Sequence, residues 1–219
     1  MYSTDSSCLK QFNIIVLQDL MRLRQFQNKN IEFIIDIGAN IGISTIFMKT
    51  LFPKAKIISI EPDPKNFECL QKNTFFIHDV YIENKAFGNK QKYNIMYRNN
   101  RAVDTYTEEH ENGSTIGISM EEIFTKYEIG TSNKYLIKSD CEGAESDFIG
   151  NSFCEKAVQN SDVFFMEVHF NSPHTPGFKT KWEEYNLWVS KFATTHKIEY
   201  FVSNRNRGYG HYLLYKISA

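Results

Sequence analysis

The sequence predicts an α/β fold: a mainly parallel, seven-stranded sheet with helices on both faces, preceded by an N-terminal helix and carrying a small β insertion. Three observations predict it. Short apolar runs rich in isoleucine, valine and aromatics recur along the chain, and helical patterns separate most of them. The stretch Asp36-Ile37-Gly38-Ala39-Asn40-Ile41-Gly42 follows one such run and opens into another apolar segment, as a buried strand, a glycine-rich turn and a helix would. Alternating strands and helices then imply right-handed crossovers and a sheet covered on both faces.

The elements follow in order. Helical-period apolar positions from Leu9 to Phe26 (Phe12, Ile15, Val16, Leu20, Leu23) predict an amphipathic helix that packs on the core or acts as a lid, so residues 1–30 are read as an N-terminal helix and 31–219 as the main domain. The chain of 219 residues suits a single domain with additions. Pro53 ends the first helix of the main domain, and Lys56 to Ile60 form the second strand. Asp63-Pro64 supply an N-cap and a first-turn proline for a helix running to about Asn73. Val80 to Glu83 is the third strand. Tyr93 to Tyr97 and Thr115 to Ser119 are extra, antiparallel strands, joined by a long polar loop from Arg98 to Gly113. A helix at Met120 to Tyr127 leads to a buried strand, Lys134 to Lys138. A broken helical crossover (Gly143 to Ile149, Phe153 to Asn160), the strand Val163 to Val168, a loop at Asn171 to Gly177, a helix from Lys179 to Thr195 and strands Ile198 to Val202 and Tyr212 to Ile217 complete the pattern.

In such sheets the ligand lies beyond the carboxyl ends of the strands, where strand order reverses. Asp36, Glu61, Asn84, Asp140 and the segment Glu167 to His169 each stand at or just past a different strand end, so they are expected to converge. The turn predicts the ligand's class. A dinucleotide fingerprint needs G-x-G-x-x-G and a pyrophosphate on the helix N-terminus. Here Gly38 and Gly42 have no third glycine, and Asp36 puts a carboxylate where phosphate would be repelled. A cationic, phosphate-free ligand fits better, and S-adenosylmethionine, with its sulfonium and α-ammonium, is such a molecule. Glu61 stands roughly 20 residues past the turn, where an acid conventionally takes ribose hydroxyls. The expected cofactor residues are Asp36, Gly38, Ala39, Asn40, Gly42, Glu61, Asn84 and Asp140, with Asp79 competing for the role of Asn84.

Residues Phe33 to Asn73, together with Lys138-Ser139-Asp140-Cys141-Glu142-Gly143-Ala144-Glu145 and Phe165-Met166-Glu167-Val168-His169, resemble the FkbM family of S-adenosylmethionine-dependent methyltransferases. The likeness covers roughly Phe33 to Phe170. It implies a Rossmann-like class I methyltransferase and an acceptor that is a sugar, a glycan precursor or another small metabolite.

Methyl transfer requires alignment of acceptor, methyl group and leaving sulfur, and a hydroxyl acceptor must also lose its proton to a base or be acidified by a metal. Asp140, Glu142, His169 and Lys138 are the candidate catalytic residues. Asp140, Glu167 and His169 are the candidate ligands should a cation serve, and oxygen donors plus one imidazole suit Mg²⁺ or Mn²⁺ better than zinc. Duller roles compete. Glu142 can cap the following helix, Glu145 can form an ordinary solvated ion pair, and Lys138 reads better as a structural ion-pair partner. His110, His174 and His211 read as loop or surface residues, and Trp182 and Trp188 as packing.

Charge is nearly balanced, 25 basic against 26 acidic residues, so a broad field for nucleic acid is not expected. The rival readings are a nucleic-acid 2′-O-methyltransferase using Lys138 and a protein that binds S-adenosylmethionine without turnover. Cys8, Cys69, Cys141 and Cys154 lack paired metal or disulfide spacing and are expected to be reduced thiols. With neither a membrane span nor a secretory leader in its pattern, the chain is expected to be cytoplasmic.

Overall fold

The computed structural model describes residues 7–97, 105–171, 180–204 and 208–217. In chain order its strands are β1 (Phe33–Ile37), β2 (Lys56–Ile60), β3 (Val80–Glu83), β4 (Ala86–Phe87), β5 (Lys92–Tyr97), β6 (Thr105–Glu109), β7 (Thr115–Ile118), β8 (Tyr135–Ser139), β9 (Val163–His169), β10 (His196–Asn204) and β11 (Tyr209–Lys216). The α-helices are α1 (Ser7–Phe12), α2 (Ile43–Leu51), α3 (Pro64–Thr74), α4 (Met120–Lys126), α5 (Ser152–Asn160) and α6 (Trp182–Ser190).

Seven strands form one sheet in the order β10-β11-β9-β8-β1-β2-β3, parallel except for β11, which runs against both its neighbours. Strand order reverses between β1 and β8, so the cleft beyond their carboxyl ends is the switch point. Period-2 alternation then divides β1 between two cores. Phe33, Ile35 and Ile37 face a core completed by Met120, Ile123, Tyr185 and Trp188, while Ile34 faces Met21, Leu23, Phe47 and Met48. Both faces are therefore helix-covered, as expected for parallel strands that are apolar throughout. Asp63 caps α3, accepting from the Lys65 and Asn66 amides at 2.8 and 2.9 Å. Ser119 and Glu122 form a reciprocal capping box at α4.

The structure departs from the sequence reading in four places. The N-terminal segment is not one helix: α1 gives way to a π-helical turn at Asn13–Leu17 and a 3₁₀ turn at Leu23–Phe26. Asp19 and Arg22 adopt left-handed backbone angles, and the Asp19 carboxylate accepts from the Leu23 and Arg24 amides, a local alternative to the helical ladder. The polar stretch after Tyr97 contains β6, paired antiparallel to β5, and β4 adds a short parallel partner to β7. The polar residues of β6 hid the first, and β4, a buried pair of residues, is too short to carry a period. The helix expected to reach Thr195 ends at Ser190 and continues as turns. The loop expected at Asn171 to Gly177 and the start of the following helix at Lys179 lie outside the described residues, apart from Asn171 itself. Among the described residues no helix is long and apolar enough to cross a membrane.

Gly38 and Gly150 share a φ of +76°, but a Cβ on Gly38 would stand 1.8 Å from the Asp140 carbonyl oxygen, whereas one on Gly150 would meet nothing within 4 Å. Gly150→Ala should therefore lose only the left-handed strain of about 1–2 kcal/mol. Gly38→Ala should lose clearly more in urea unfolding, and equal losses would contradict the close approach of the turn to β8.

Candidate functional site

The turn after β1 is a run of alternating left-handed residues: Gly38 at φ +76°, Asn40 at +51° and Gly42 at +91°. Asparagine tolerates this region better than most residues do. The turn leaves no amide for a phosphate. Gly38 and Ala39 donate to the Ile60 carbonyl at 3.0 Å each, Asn40 to Glu61 Oε2 at 2.8 Å, Ile41 to the Asn40 side chain at 2.8 Å and Gly42 to the Ala39 carbonyl at 2.8 Å. A pyrophosphate cradle needs such N–H groups free.

Asp36 does not reach the cleft. Its carboxylate is buried beneath the turn, where Oδ2 accepts from Ser44 Oγ at 2.8 Å and Thr45 Oγ1 at 2.7 Å, and Oδ1 lies 3.1 Å from Lys138 Nζ. The two residues are register partners on β1 and β8. Lys138 also donates to the carbonyls of Ile37 at 3.1 Å and Gly38 at 2.7 Å, which uses its three protons. Burial pushes its pKa down, but Asp36 and Asp140 more than reverse that and keep it charged. Phosphate is thus disfavoured by the saturated amides of the turn and by other acids, and not by the charge of Asp36, which Lys138 neutralises.

Glu61 does line the cleft, with Gly38, Ala39, Asn40, Ile41 and Asn66 from the same end. Its Oε2 takes the Asn40 amide and its Oε1 the Asp63 amide at 2.9 Å, and burial pushes its pKa up to about 7 despite both bonds. Asn84 stands behind it, donating to the carbonyls of Glu61 at 2.9 Å and Pro62 at 3.0 Å, so it braces the β2 exit. Asp79 is 4.0 Å from Lys49 at the opposite, amino end of β3, which removes it as a competitor. Gln11 and Ile15 from the N-terminal segment and Thr107 from β6 also line the cleft. Tyr97 at the end of β5 lies against Asp63, whose carboxylate is the main cause of a phenol pKa near 12. Segments outside the sheet therefore cover the site; the apolar spacing of the N-terminal segment pointed to such packing for Ile15, whereas nothing in the sequence placed Thr107 or Tyr97 there.

Across the cleft, Asp140, Cys141 and Glu142 line the wall at the exit of β8. Burial lifts Asp140 to about 6 and Glu142 to about 8, in the second case against the pull of His169. Glu142 has a left-handed backbone, φ +53°, and caps nothing, since the 3₁₀ turn Ala144–Phe148 has no side-chain cap. Glu145 is the structural acid. It is fully buried and accepts from the Cys141 and Gly143 amides at 2.7 Å each, so it is not a solvated ion pair. Burial would raise its pKa, but His169 and these bonds hold it below the ordinary range.

His169 ends β9 within a ring of acids. Its Nδ1 is 3.4 Å from Glu145 Oε1, and its Nε2 is 3.5 Å from both Glu142 Oε2 and Glu167 Oε1. Burial lowers its pKa, but Glu142 and Glu145 outweigh this and raise it well above the usual value. His211, read from the sequence as a surface residue, is buried opposite Glu167 in the β9–β11 pairing and contacts Glu167 Oε2 at 2.6 Å. Burial pushes Glu167 up, yet the two imidazoles hold it far below the usual carboxylate range. Only the placement of β11 beside β9 reveals this pair. His174 lies outside the described residues, and His110 is exposed. Trp188 is buried core, and Trp182 stacks on Tyr212 at 5.4 Å.

Asp140, Glu145 and His169 each bring one donor atom within 4.8 Å of the others. The arrangement does not fit a resident cation. Both nitrogens of His169 face carboxylates, Glu145 is bound to two amides, and Glu167 is held by His211, so the expected set of Asp140, Glu167 and His169 offers no open imidazole nitrogen. S-adenosylmethionine fits the cleft better: the amides of the glycine turn are spent within the protein, and Glu61 and Asp140 line the cleft with oxygen acceptors.

Residues 36–209, which hold the acids of this site and His169, match the methyltransferase FkbM domain. The chain belongs to the FkbM methyltransferase family. Two curated relatives match shorter stretches of the chain. Methyltransferase sdnD of Sordaria araneosa is 46% identical over 41 residues, 19% of this chain and 16% of that protein. Methyltransferase 1 of Beauveria bassiana (strain ARSEF 2860) is 44% identical over 49 residues, 22% of this chain and 19% of that protein. The matched stretches thus span under a fifth of either relative. The O-methyltransferase from Bacillus cereus, solved in complex with SAH, superposes with a TM-score of 0.51 at 11% identity, covering 100% of this chain and 93% of that one. At that identity the likeness is one of fold, and it is the fold of this FkbM domain.

Two measurements probe the site. Lys138→Met should destabilise the protein by about 3–5 kcal/mol in urea unfolding because it strands a buried carboxylate, and adding Asp36→Asn should recover part of the loss. If Glu61 binds the cofactor's ribose as a carboxylate, S-adenosylmethionine affinity should weaken as pH falls through about 7, by up to about tenfold per unit. Calorimetry in buffers of different ionisation enthalpy should then show proton release near pH 7 that Glu61→Gln abolishes.

Proposed function

We propose that this protein transfers the methyl group of S-adenosylmethionine to a hydroxyl oxygen of a sugar, glycan precursor or other small metabolite. The observation that carries this reading is one cleft with a phosphate-free glycine turn and Glu61 at one end and Asp140 and Glu142 at the other. When bound, the cofactor supplies a methyl group already activated by a positive sulfur, so the protein's work is alignment and proton removal. Glu61 binds and orients the ribose. Gly38, Ala39 and Asn40 let the backbone approach the ligand, Gly42 instead closes the turn against Leu70 of α3, and Ile15, Ile41 and Ala144 add apolar lining that limits water. Asp36 and Lys138 hold the turn in place from below.

An oxygen acceptor is favoured because the exit of β8 carries Asp140-Cys141-Glu142-Gly143, carboxylates suited to receive a proton, and not the Asn or Asp-Pro-Pro-Tyr/Phe motif of many enzymes that methylate amino groups of bases. The ribose 2′-hydroxyl of nucleic acid is disfavoured because Lys138, which that chemistry would require at the acceptor, is committed to Asp36 and two carbonyls. Incubation of glycan and metabolite extracts with the protein and methyl-labelled S-adenosylmethionine, read by mass spectrometry, should give labelled methyl ethers. Label confined to RNA, with salt-dependent RNA affinity, would replace this reading, and cofactor binding without any labelled product would mark a protein that has lost turnover. Glu61→Ala should weaken S-adenosylmethionine binding at least about tenfold, the equivalent of one good hydrogen-bonding partner, and unchanged affinity would remove the ribose assignment.

A further inference from the structure

An acceptor hydroxyl must release its proton as its oxygen takes the methyl group, and Lys138, Asp140, Glu142, Glu145, Glu167 and His169 all gather near the place where this would happen. Geometry separates them. An imidazole that faces carboxylates through both nitrogens does so as the doubly protonated cation, which donates twice and accepts nothing. His169 is in that position, with Glu145 on Nδ1 and Glu142 and Glu167 on Nε2. Glu145 is fully buried on two backbone amides, Glu167 is paired with His211, and the three protons of Lys138 are engaged. Asp140 belongs to the cofactor side: its amide donates to the Ile37 carbonyl, and its own carbonyl packs on Gly38. Asp140 and Glu142 are the two carboxylates on the cleft wall, both partly open to solvent, and of the two it is Glu142 whose Oε2 stands 3.5 Å from His169 Nε2, beside a fixed positive charge. Its left-handed backbone is a strain of the kind that collects at functional positions.

We propose that Glu142 takes the acceptor's proton, and that His169 is not the base but a positioning residue, an imidazolium held by Glu145 and by the Glu167–His211 pair that aims the Glu142 carboxylate. The inference rests on the methyltransferase reading above. In the step, the acceptor oxygen forms the new C–O bond as the S–C bond of the sulfonium breaks and its electron pair stays on sulfur. The O–H proton passes to Glu142 in its ionised form, which rising pH populates, and from there to solvent, while His169 keeps both of its protons. His211 anchors the far end. Its ring is stacked between Phe165 and Phe201, with centroids 5.7 and 5.8 Å away, which fixes the plane from which it reaches Glu167.

Three measurements on the full chain test this. Glu142→Gln should cut labelled methyl transfer into a metabolite extract by about 100-fold or more, the usual worth of a positioned base, and leave S-adenosylmethionine affinity by calorimetry within about twofold, below the effect of one hydrogen bond. His211→Phe, which preserves the ring stack without a donor, should slow transfer at unchanged cofactor affinity, and His211→Gln, which restores a donor, should recover most of that loss. Nitrogen-15 NMR of histidine-labelled protein without ligand should show both His169 ring nitrogens protonated at pH 8. Wild-type transfer by Glu142→Gln, or a bare His169 nitrogen at pH 8, overturns the proposal. Failure of the wild-type protein to bind S-adenosylmethionine would overturn the methyltransferase reading and the proton-acceptor role with it, whereas the NMR result decides the state of His169 by itself.

Discussion

The buried pair of Asp36 and Lys138 is the constraint on which the rest of the site depends. Each is buried, and a lone charge in that position would carry a desolvation penalty of several kcal/mol. Register brings them side by side on the two strands that flank the switch point, and the ammonium completes its hydrogen bonding on the carbonyls of Ile37 and Gly38. The pair therefore joins β1 to β8 where the glycine turn begins. From that join the close contact of Gly38 with the Asp140 backbone follows, and with it the distance between the cofactor end of the cleft and its acidic wall.

The acidic wall illustrates how environment assigns different work to identical side chains. Glu145, Glu167 and Glu142 all approach one imidazole, yet their surroundings diverge. Two backbone amides make Glu145 a brace for the loop after β8, and a second histidine holds Glu167 ionised. Glu142 has neither support, and burial raises it to about 8. In a low-dielectric pocket the number of hydrogen-bond donors each carboxylate receives decides its charge more than its distance from the shared cation.

The floor and the cover of the cleft have different origins. Its floor is made by strand ends, whose positions are set by the sheet ladder and by two apolar cores. Its cover comes from segments outside the sheet: Gln11 and Ile15 of the broken N-terminal segment, Thr107 of the inserted β6, and Tyr97 resting on Asp63.

Much of this was legible in one dimension because short-range physics writes it there. The apolar run before Asp36, the glycines that alone tolerate the turn's angles, the Asp63-Pro64 cap and the position of Glu61 after β2 are local requirements, and each reads directly from neighbouring residues. Other features depend on which distant strands lie side by side. That Asp36 is neutralised by Lys138, that Asn84 braces Glu61 from behind, that Asp79 sits at the wrong end of β3 and that His211 meets Glu167 across an antiparallel pair are consequences of register between segments tens of residues apart. Sequence by itself determined the fold class and the residues that could act. Tertiary structure decided which of them face the cleft and in what charge state, because burial and partner geometry are properties of the assembled sheet.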